Sequence, residues 1–570
     1  MSPSAALRPQ TDRRSIDPLA ADRAVWWLGL AIALLWIAPL GARSLVSSDE
    51  GRYADLALHI YRSGDWITPR LNGLLYFEKP PLVYWATAVS YHLFGINEFA
   101  ARLWPGLSGL GCIAATGWAA RAWWGREGAL RAIALAASMT WLVLNSHQLT
   151  LDTSLGFGTT LALCGLLRGF APDADAPTRR RALLVAWAGM ALATLSKGPV
   201  GVVIPGSALI LYTLLALARG ERAQAAVLWR QLEWLRGAGL YLLLTAPWFV
   251  AVSLRNPGFA EFFFIHEHWV RYTTVAHHRE GGWWYFVPWV LLGALPWTGL
   301  LVAAAWRAGR TPGAEAPAAI RPVALLWCWC AFVFAFFSLS GSKLPSYVLP
   351  LFPALALIAT ADLATRKRLG PHLVLPLVLW LVLQGLWLAA PRFVSESTPA
   401  ATIHLLLVYL GVGALVFAAG WVMAWRLAAR GRLAAAVVAL SLGHLAAALV
   451  ALQGHDPFGQ LKSAAAMAPK ILAALPPGAP VFSIRTHEHT LPFYLQRDVI
   501  LVEHVDEFDF GELAEPQRWI PTLAAFVERW RGLSDGAALM RTATFDELQR
   551  AGLPMREIFR DARRVVVSRR

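Results

Sequence analysis

The sequence predicts a polytopic α-helical membrane protein that carries a small extracytoplasmic α/β domain at its C-terminal end. Of the 570 residues, 57% are apolar and only 15% are charged, and the mean hydropathy is +0.47, which exceeds the range of soluble chains. Apolar runs long enough to cross a bilayer recur thirteen times before residue 453. After that position the composition shifts towards charged residues.

The transmembrane helices are predicted from the length and spacing of the apolar runs. We expect about 13 of them, near residues 25–42, 102–120, 131–147, 154–170, 182–196, 199–218, 238–254, 283–306, 322–340, 346–364, 372–391, 404–425 and 433–452. If the N-terminus is cytoplasmic, the Lys and Arg residues between these spans concentrate on the cytoplasmic side, as the positive-inside rule requires. The odd number of spans then places the C-terminus on the outer side.

Two outer segments are too long to be simple connections between spans. The first, 43–101, contains helical patterns near 50–62 and 81–95 whose aromatic and charged faces predict helices lying on the membrane surface. The second is 255–282. Long loops commonly carry function, so these segments are the first places to look for functional residues.

Residues 455–570 form the predicted extracytoplasmic domain. The stretches 480–484 and 498–502 have the composition of short buried strands. Residues 521–532 and 545–551 have the apolar spacing of amphipathic helices. Together these patterns predict a small α/β fold.

Net charge and cysteine usage exclude several kinds of partner. The formal charge of +15 would suggest nucleic acid in a soluble chain, but the basic residues lie between apolar runs, so we predict no nucleic-acid partner. The four cysteines lie inside apolar runs and indicate neither a disulfide framework nor a zinc motif. The composition predicts the lipid bilayer as a partner, and we expect the chain to be a monomer.

Lysine is scarce in this chain, and its placement is informative. Three of the six lysines, Lys79, Lys197 and Lys343, fall at the outer ends of spans or in outer loops, whereas Lys367 lies on the inner side. Three cations on the disfavoured side indicate an anionic ligand, and phosphate suits lysine because lysine binds it as a point charge. The alternative is that each side chain snorkels to the outer headgroups.

Two aspartates stand at the start of outer segments. Asp49 follows the first span and precedes a predicted helix, which suits an N-cap with Arg52 as its partner three residues on. Asp152 lies in a short outer turn, where capping the fourth span is the simplest interpretation. A pair of acids from separate outer loops, facing the same cations, would instead suit chemistry at a sugar's anomeric carbon, where positive charge develops in the transition state.

An acid and a base precede two prolines in the first outer loop. Pro80 and Pro81 forbid a helix at this point and leave Glu78 and Lys79 in an extended segment. The pair is a fixed polar element of a site or, alternatively, a local ion pair on a rigid turn.

Histidines of the second outer loop are candidates for a metal site. His266 and His268 are two residues apart, a spacing that converges on an ion only in an extended segment. With Glu78 they would hold a divalent ion, zinc or magnesium. The alternative is that they are solvated side chains at the membrane interface.

Several motifs resemble those of a known family. The N-terminal motifs are Asp49-Glu50-Gly51-Arg52-Tyr53, Ser63-Gly64-Asp65-Trp66, Pro69-Arg70-Leu71, Tyr76-Phe77-Glu78-Lys79-Pro80-Pro81 and Tyr84-Trp85. The later motifs are Leu195-Ser196-Lys197-Gly198-Pro199, Glu267-His268 followed by Arg271-Tyr272, and Ser342-Lys343-Leu344-Pro345-Ser346-Tyr347-Val348-Leu349-Pro350. Over residues 45–350 the chain therefore resembles the bacterial undecaprenyl phosphate aminoarabinose transferases, within the protein O-mannosyltransferase-like superfamily of GT-C glycosyltransferases. We identify no motif of the family in the terminal domain.

The resemblance implies a fold, an activity and a location. Residues 1–452 would form a transmembrane GT-C catalytic domain, and 455–570 a periplasmic domain, in the bacterial inner membrane with the active site facing the periplasm. The implied reaction moves 4-amino-4-deoxy-L-arabinose from an undecaprenyl-phosphate-linked donor to the phosphates of the acceptor, lipid A. This modification reduces binding of polymyxin and other cationic antimicrobial peptides.

The resemblance also implies roles for single residues. Asp49 would be the catalytic carboxylate, with Asp152 as a second candidate, and Glu78 would line the same cavity. The other implied residues are Lys79 and Lys197, which would hold the donor phosphate, Arg52 and Lys343, which would assist them, and the pocket residues Tyr53, Tyr76 and Tyr347. Related enzymes often need a divalent ion, for which Glu78, His266 and His268 are the candidates.

Two other functions are consistent with the same residues. The acceptor is alternatively a serine or threonine hydroxyl of an exported protein, or another glycan. A hydroxyl must be deprotonated, so Asp49 would then act as a base, whereas an acceptor phosphate is already anionic. A lipid or sugar transporter would place polar groups near the membrane midplane and show repeated halves, but the unusual charges here cluster at one face.

Overall fold

The computed structural model describes residues 18–270, 281–308, 320–366, 368–395, 398–504 and 507–569, with side chains from residue 22 onwards and not those of 268–270. Lys367, Arg271 and Tyr272 lie outside the described residues, and so does the side chain of His268.

Helices make up the membrane part of the chain. Up to residue 270 they are α1 (Pro18–Ile37), α2 (Asp49–Ser63), α3 (Leu82–Phe94), α4 (Glu98–Ser138), α5 (Thr140–Ser146), α6 (Leu151–Gly169), α7 (Ala176–Lys197), α8 (Val200–Ala218), α9 (Arg222–Arg230), α10 (Trp234–Arg255) and α11 (Phe259–Glu261), followed by a π-helical segment, Phe262–Val270. The later ones are α12 (Phe286–Gly293), α13 (Thr298–Ala308), α14 (Pro322–Leu339), α15 (Leu351–Thr365), α16 (Val374–Gln384), α17 (Leu386–Ala389), α18 (Ala400–Ala429) and α19 (Leu433–Gln453).

The lengths of these helices bear out a multi-pass membrane protein. Among the described residues, seven helical segments are long and apolar enough to cross a membrane, or nine if each of two bent pairs is one span. Every predicted apolar run overlaps a described helix. The polytopic helical fold is therefore confirmed, whereas the exact number of spans stays a prediction.

Breaks in helical geometry separate or divide several of the predicted spans. The predicted spans 102–120 and 131–147 are separated by a break within α4 at Trp124 and at Gly125, whose φ of +68° costs glycine little. The predicted span 283–306 is two helices, α12 and α13, bent by 113°. Pro296 lies between them, and proline cannot continue the hydrogen-bond ladder of a helix.

The first outer loop folds into α2, a short hairpin of β1 (Arg70–Leu71) and β2 (Leu74–Leu75), and α3. Both helices match the predicted positions. They are not merely surface helices, because they share a core with the C-terminal part of the chain. That core includes Tyr53, Leu56, Tyr84, Tyr91, Phe493, Leu501 and Phe508.

The C-terminal part contains a five-stranded sheet. Its strands are β3 (Val481–Ile484), β4 (Ile500–Val502), β5 (Ala537–Met540), β6 (Arg556–Arg560) and β7 (Val565–Ser568), in the order β4-β3-β5-β7-β6. Strand β3 is parallel to β4 and β5, and β7 is antiparallel to β5 and β6. Strands β3, β5 and β7 are buried along their whole length, as strands covered on both faces are.

Helices complete this domain. They are α20 (Asp456–Gln460), α21 (Ala468–Ala474), α22 (Leu491–Leu495), α23 (Asp509–Ala514), α24 (Leu523–Gly532) and α25 (Thr542–Arg550). The predicted strands are β3 and β4, and the predicted helices are α24 and α25. The α/β fold is thus confirmed, while the boundary between 452 and 455 stays a prediction.

Hydrogen bonds hold the terminal domain against the first outer loop. The Asn72 amide donates to the Val499 carbonyl at 2.6 Å and accepts from the Val499 N–H at 2.7 Å. Arg70 Nη1 donates to both carboxylate oxygens of Glu515, at 2.8 and 3.0 Å. The Ser47 hydroxyl donates to Glu488. These contacts place the terminal domain directly against the segment that contains Asp49.

Candidate active site

Asp49 is the first residue of α2 and lines a cavity. The N-cap residue is Ser48, whose side chain makes no capping hydrogen bond, so the predicted capping role of Asp49 is wrong. Its carboxylate accepts a hydrogen bond from Arg52 Nη1 at 2.9 Å, which confirms the predicted partner. The Asp49 side chain is 46% exposed, against 13% for Arg52. The carboxylate therefore has an open side towards the cavity.

Glu50, the next residue, is buried and structural. The buried Arg102 guanidinium donates to both of its carboxylate oxygens, at 2.6 Å from Nε and 2.8 Å from Nη2. The backbone N–H groups of Val46 and Leu149 donate to it at 3.1 and 3.0 Å. Burial opposes ionisation, but the charge and hydrogen bonds of Arg102 hold the pKa of Glu50 below its ordinary value. Glu50 thus ties the segment before Asp49 to the turn before α6.

An acidic residue of the terminal domain holds Arg52 in place. Its second Nη forms an ion pair with Glu507, which also accepts a hydrogen bond from His489 Nε2 at 2.5 Å. Burial alone would raise the pKa of Glu507, but the His489 hydrogen bond and the Arg52 charge lower it to about 2. Sequence reasoning missed Glu507, since no local pattern marks an acid that meets its partner from another domain.

Asp152 and Lys197 form an ion pair between two helices. Asp152 lies in the first turn of α6, and its carboxylate accepts from the ammonium of Lys197, the last residue of α7. The N-cap residue of α6 is Thr150, so the capping interpretation of Asp152 is wrong. The Lys197 ammonium lies 4.3 Å from the ring centroid of Tyr347, a cation–π distance. Lys197 therefore contacts two other predicted site residues, Asp152 and Tyr347.

Lys79 pairs with an acid from a distant loop. Its ammonium donates to Glu267 Oε2 at 2.9 Å and lies 3.8 Å from Glu78 Oε2. The pair that the sequence indicated is present, and the ammonium also donates to the Glu78 carbonyl at 2.8 Å, but the shorter ion pair is with Glu267, which belongs to the π-helical segment. Burial and the nearby charge of Glu267 raise the pKa of Glu78, against the opposing effect of Lys79.

Tyrosine side chains fill the space between these charges. The rings of Tyr53 and Tyr84 are stacked, with centroids 5.9 Å apart. The hydroxyls of Tyr76 and Tyr84 are buried, and neither has a hydrogen-bond partner among the residues that the structure describes. Buried hydroxyls without partners are costly, so they are available to a polar ligand.

A cavity of about 540 Å³ extends from Asp49 between the helices. Its polar lining includes Asn145, Gln148 and Thr150, which sequence reasoning did not single out. The rest of the lining is mainly apolar and includes Trp141, Leu379, Trp380, Leu383 and Leu410. Such a mixture suits a lipid whose polar head is bound at the carboxylate end.

Lys343 lies on the loop after α14, immediately before residues of the cavity wall. Its side chain is buried, and the ammonium donates to the Ser340 carbonyl at 2.7 Å. The cavity is lined by the next three residues, Leu344, Pro345 and Ser346. Lys343 therefore precedes a segment of the wall of the cavity that Asp49 lines.

The described residues do not make up the predicted metal site. His266 is 62% exposed, and its Nδ1 lies 3.8 Å from Glu267 Oε1. No cluster of three or more His, Cys, Asp or Glu side chains able to hold an ion occurs in the part of the chain that the structure describes. The divalent ion stays a prediction that depends on His268, and no chemical step here is derived from it.

Sequence profiles of two families match the chain. The profile of the aminoarabinose transferase C-terminal domain matches residues 467–569, where our sequence analysis found no family motif. The profile of the dolichyl-phosphate-mannose-protein mannosyltransferases matches residues 24–263. The terminal domain therefore does carry a signal of the family, although the sequence analysis identified no motif there.

Curated proteins and solved structures are similar over most of the chain. The undecaprenyl phosphate-alpha-4-amino-4-deoxy-L-arabinose arabinosyl transferase of Pseudomonas aeruginosa (strain UCBPP-PA14) is 33% identical over 423 residues, which are 71% of this chain and 72% of that protein. The crystal structure of ArnT from Cupriavidus metallidurans bound to undecaprenyl phosphate has a TM-score of 0.88 at 37% identity and covers 96% of this chain and 98% of its own. Its apo-state structure has a TM-score of 0.87 at 36% identity, with coverage of 97% and 98%.

Proposed function

Since the chain belongs to the family of the undecaprenyl phosphate aminoarabinose transferases, we propose that it transfers 4-amino-4-deoxy-L-arabinose from undecaprenyl phosphate to the phosphate groups of lipid A. It is a polyprenyl-phosphate-dependent glycosyltransferase of a multi-pass membrane fold. The observation that carries the choice of acceptor is the open carboxylate of Asp49 at the cavity, which is paired with the Arg52 cation and therefore suits charge stabilisation better than proton abstraction.

The bonds and charges of the glycosyl transfer balance without the movement of a proton. An oxygen of the acceptor phosphate forms a bond to the anomeric carbon, and the bond from that carbon to the polyprenyl phosphate oxygen breaks. One phosphate anion enters and one leaves, so no general base has to create the nucleophile. Asp49 then stabilises the positive charge that develops at the sugar ring, because its carboxylate is held in place by Arg52.

Two lysines stabilise the departing polyprenyl phosphate in this proposal. Lys79 and Lys197 each carry a carboxylate partner, Glu267 and Asp152 respectively, which fixes the ammonium before the substrate arrives. The attraction between a fixed ammonium and the leaving phosphate becomes stronger as negative charge accumulates on that phosphate. Asp152 thus acts by orienting Lys197.

The active site faces the periplasm, and the protein resides in the bacterial inner membrane. The positive-inside distribution of Lys and Arg supports a periplasmic position for the first outer loop and the terminal domain. On that side, in this proposal, the cavity beside Asp49 receives the lipid A phosphates. A less negative lipid A binds polymyxin and other cationic peptides more weakly.

The proposal is tested by mass spectrometry of lipid A. A polymyxin-sensitive host that makes the donor but lacks its own transferase is given the wild-type chain, Asp49→Asn, or no chain. We expect aminopentose on the lipid A phosphates with the wild type only. If lipid A stays unmodified while the wild-type protein is folded in the membrane, the acceptor is wrong, and periplasmic glycoproteins from the same cells are the next place to look for the pentose.

A further inference from the structure

We propose that the protein binds one anionic phospholipid of the membrane, with an acyl chain in a slot between α6, α7 and α8 and the phosphate at arginines beside that slot. The inference does not depend on the proposed function, because these arginines lie at the other end of α7 from the candidate active site. Helix α7 has 22 residues, which corresponds to about 33 Å. Arg180 lies in its second turn, whereas Lys197 is its last residue.

The slot is a cavity of about 110 Å³ that is lined by aliphatic and aromatic residues. They extend from Leu183 to Met190 on α7 and from Val202 to Leu209 on α8, about 10 Å along each helix. A cavity with an apolar lining excludes water and takes an apolar ligand. Val202 is 37% exposed, so one side of the slot reaches the surface that membrane lipids cover. An elongated apolar slot that opens to lipid suits an acyl chain.

A glycine of α8 keeps the slot open. Gly206 belongs to the lining, and a Cβ added there would meet nothing within 4 Å. A larger side chain at this position would therefore fill the slot without displacing the backbone of a neighbouring helix.

Three tryptophans stand at one end of the slot. The rings of Trp229 and Trp234 are stacked with centroids 5.7 Å apart, and the Trp187 ring meets Trp234 edge-on at 5.5 Å. The Trp187 indole donates to the Leu232 carbonyl at 2.9 Å, which fixes the ring. Tryptophan concentrates where a bilayer meets water, because its ring is amphipathic. The tryptophans therefore indicate that this end of the slot lies at the level of the lipid headgroups.

Two arginines share one carboxylate at the same end. Arg180 Nε and Arg236 Nη1 lie 3.4 and 2.7 Å from the two carboxylate oxygens of Glu233. Glu233 stands between Leu232 and Trp234, which both line the slot. Its φ of +55° is unfavourable for a residue other than glycine, so the surrounding contacts hold this turn in place. The charges are therefore fixed beside the slot.

Positive charge exceeds negative charge at this end. Three more arginines, Arg179, Arg181 and Arg230, lie on the same connecting segments, and none of them forms an ion pair with a residue that the structure describes. Arg179 Nη1 donates to the neutral amide of Gln231 at 2.9 Å. Guanidinium groups match the geometry of a phosphate, so an anionic headgroup is the ligand that this surplus favours.

A simpler interpretation is that the arginines only orient the membrane spans and that any acyl chain of the bilayer fills the slot. It predicts equal affinity for anionic and zwitterionic lipids with the same chains. Our proposal predicts a preference for the anionic lipid, because each basic residue at the membrane surface strengthens its binding by about fivefold.

The experiment titrates the purified full chain in detergent with phosphatidylglycerol or with phosphatidylcholine of the same acyl chains. Native mass spectrometry counts the bound lipids and gives the Kd, and Tm is measured without added lipid. We expect the wild type to bind one phosphatidylglycerol about twentyfold more tightly than phosphatidylcholine, since two arginines contact the phosphate.

One variant tests the slot. We expect Gly206→Leu to remove the tight binding of either lipid, because its side chain occupies the space of the acyl chain. The matched control is Gly239→Leu on α10, where a Cβ also meets nothing within 4 Å but the residue lies outside the lining. Equal binding by these two variants overturns the proposal.

A double variant tests the headgroup site. We expect Arg180→Gln with Arg236→Gln to lose the preference for phosphatidylglycerol, whereas Arg430→Gln with Arg432→Gln, at the exposed connection between α18 and α19, keeps it. If Gly206→Leu lowers Tm without lipid, this exposed pair decides the question. Equal affinities for the two lipids in the wild type overturn the proposal, and so does stoichiometric displacement of phosphatidylglycerol by undecaprenyl phosphate, which would assign the slot to the donor.

Discussion

Two kinds of buried ion pair join distant segments of the chain, and they differ in the cation that forms them. In the Glu50–Arg102 pair, the carboxylate accepts hydrogen bonds from Arg102 and from two backbone N–H groups. The remaining Arg102 donors bind the carbonyls of Leu40, Arg43 and Ser44. Two other pairs, Lys79–Glu267 and Lys197–Asp152, also join separate elements, but their cation is an ammonium, a point charge without the rigid fork of N–H donors that arginine presents.

The difference separates the charges that serve the fold from the charges to which we assign substrate binding. A buried pair whose every hydrogen bond is made is rigid, and no ligand can compete for it without breaking several bonds. A lysine ammonium is a compact point charge on a flexible stem, so it can bind a phosphate next to its carboxylate partner. Asp49 and Glu50 are neighbours in one motif, but Glu50 stabilises the fold and Asp49 lines the cavity.

The largest effect is expected when the scaffold pair is broken. Glu50→Gln leaves the Arg102 charge buried without its counter-ion, which costs about 3–5 kcal/mol. We expect both the Tm of the purified protein and its transfer activity to fall. The double variant Glu50→Gln with Arg102→Met removes the stranded charge and should recover part of the Tm. If Glu50→Gln leaves Tm unchanged, the proposed division between scaffold and cavity charges does not hold.

A change at the neighbouring residue separates activity from folding. Asp49→Asn keeps the size of the side chain and a hydrogen-bond acceptor for Arg52, but removes the negative charge that faces the cavity. We expect transfer to fall by about a hundredfold or more, the cost of losing a preorganised electrostatic group, with Tm close to that of the wild type. Single-turnover transfer to lipid A measures the rate. Near-normal turnover would take Asp49 out of the mechanism.

A third acid, Asp55, sharpens the comparison because it is buried in α2 without an ion pair in the described part of the chain. It accepts from the Asn72 N–H at 2.6 Å, and burial together with the charge of Asp498 raises its pKa to about 8. Its ordinary pKa is near 4, so the native state holds a proton that the unfolded chain releases. The free energy of unfolding therefore falls as pH rises from about 4 to about 8.

The measurement is Tm at pH 6 and at pH 9 for the wild type and Asp55→Asn. Over this range the Tm of the wild type should fall by on the order of several degrees more than the Tm of the variant, since asparagine does not ionise. The backbone N–H of Asn72 still has an acceptor in the variant, because the asparagine side chain keeps a carbonyl oxygen. Equal losses in the two proteins would mean that Asp55 is already ionised at pH 6.

The smallest effect is expected at an exposed ion pair. Glu557 and Arg560 lie 2.7 Å apart on strand β6, and both side chains are well exposed. Solvent screens such pairs, so their net contribution to stability is small. We expect Glu557→Gln to change neither Tm nor transfer measurably. A clear loss of transfer would show that this edge of the terminal domain contacts the substrate.

Much of the candidate site could be predicted because its motifs are local. The motif of Asp49 and Arg52 is one turn of helix, so their contact follows from helical spacing. The outer lysines stood out because they violate the distribution that orients membrane spans. Their carboxylate partners could not be predicted, since Glu267 is 188 residues from Lys79 and nothing in either segment specifies the other.

The sequence predicted wrongly that Asp49 and Asp152 cap helices, because only partners that are near in the chain can be identified from it. An aspartate before an apolar run has a good local partner in the helix N-terminus, and the sequence offers no reason to prefer another. In the structure Asp152 pairs with Lys197, because packing of α6 against α7 brings them together. Tertiary contact replaced a local interaction with a stronger, charged one.

The sequence by itself determined the membrane fold, the outer position of the unusual charges and the family motifs, since hydropathy and short motifs depend on residues near one another in the chain. Only the tertiary structure decided which carboxylate meets which lysine, that the terminal domain holds Arg52 through Glu507, and that Lys343 is buried beside Ser342 without an ion pair in the described residues. Electrostatic interactions depend on distance and burial, and the fold sets both quantities for residues that are hundreds of positions apart.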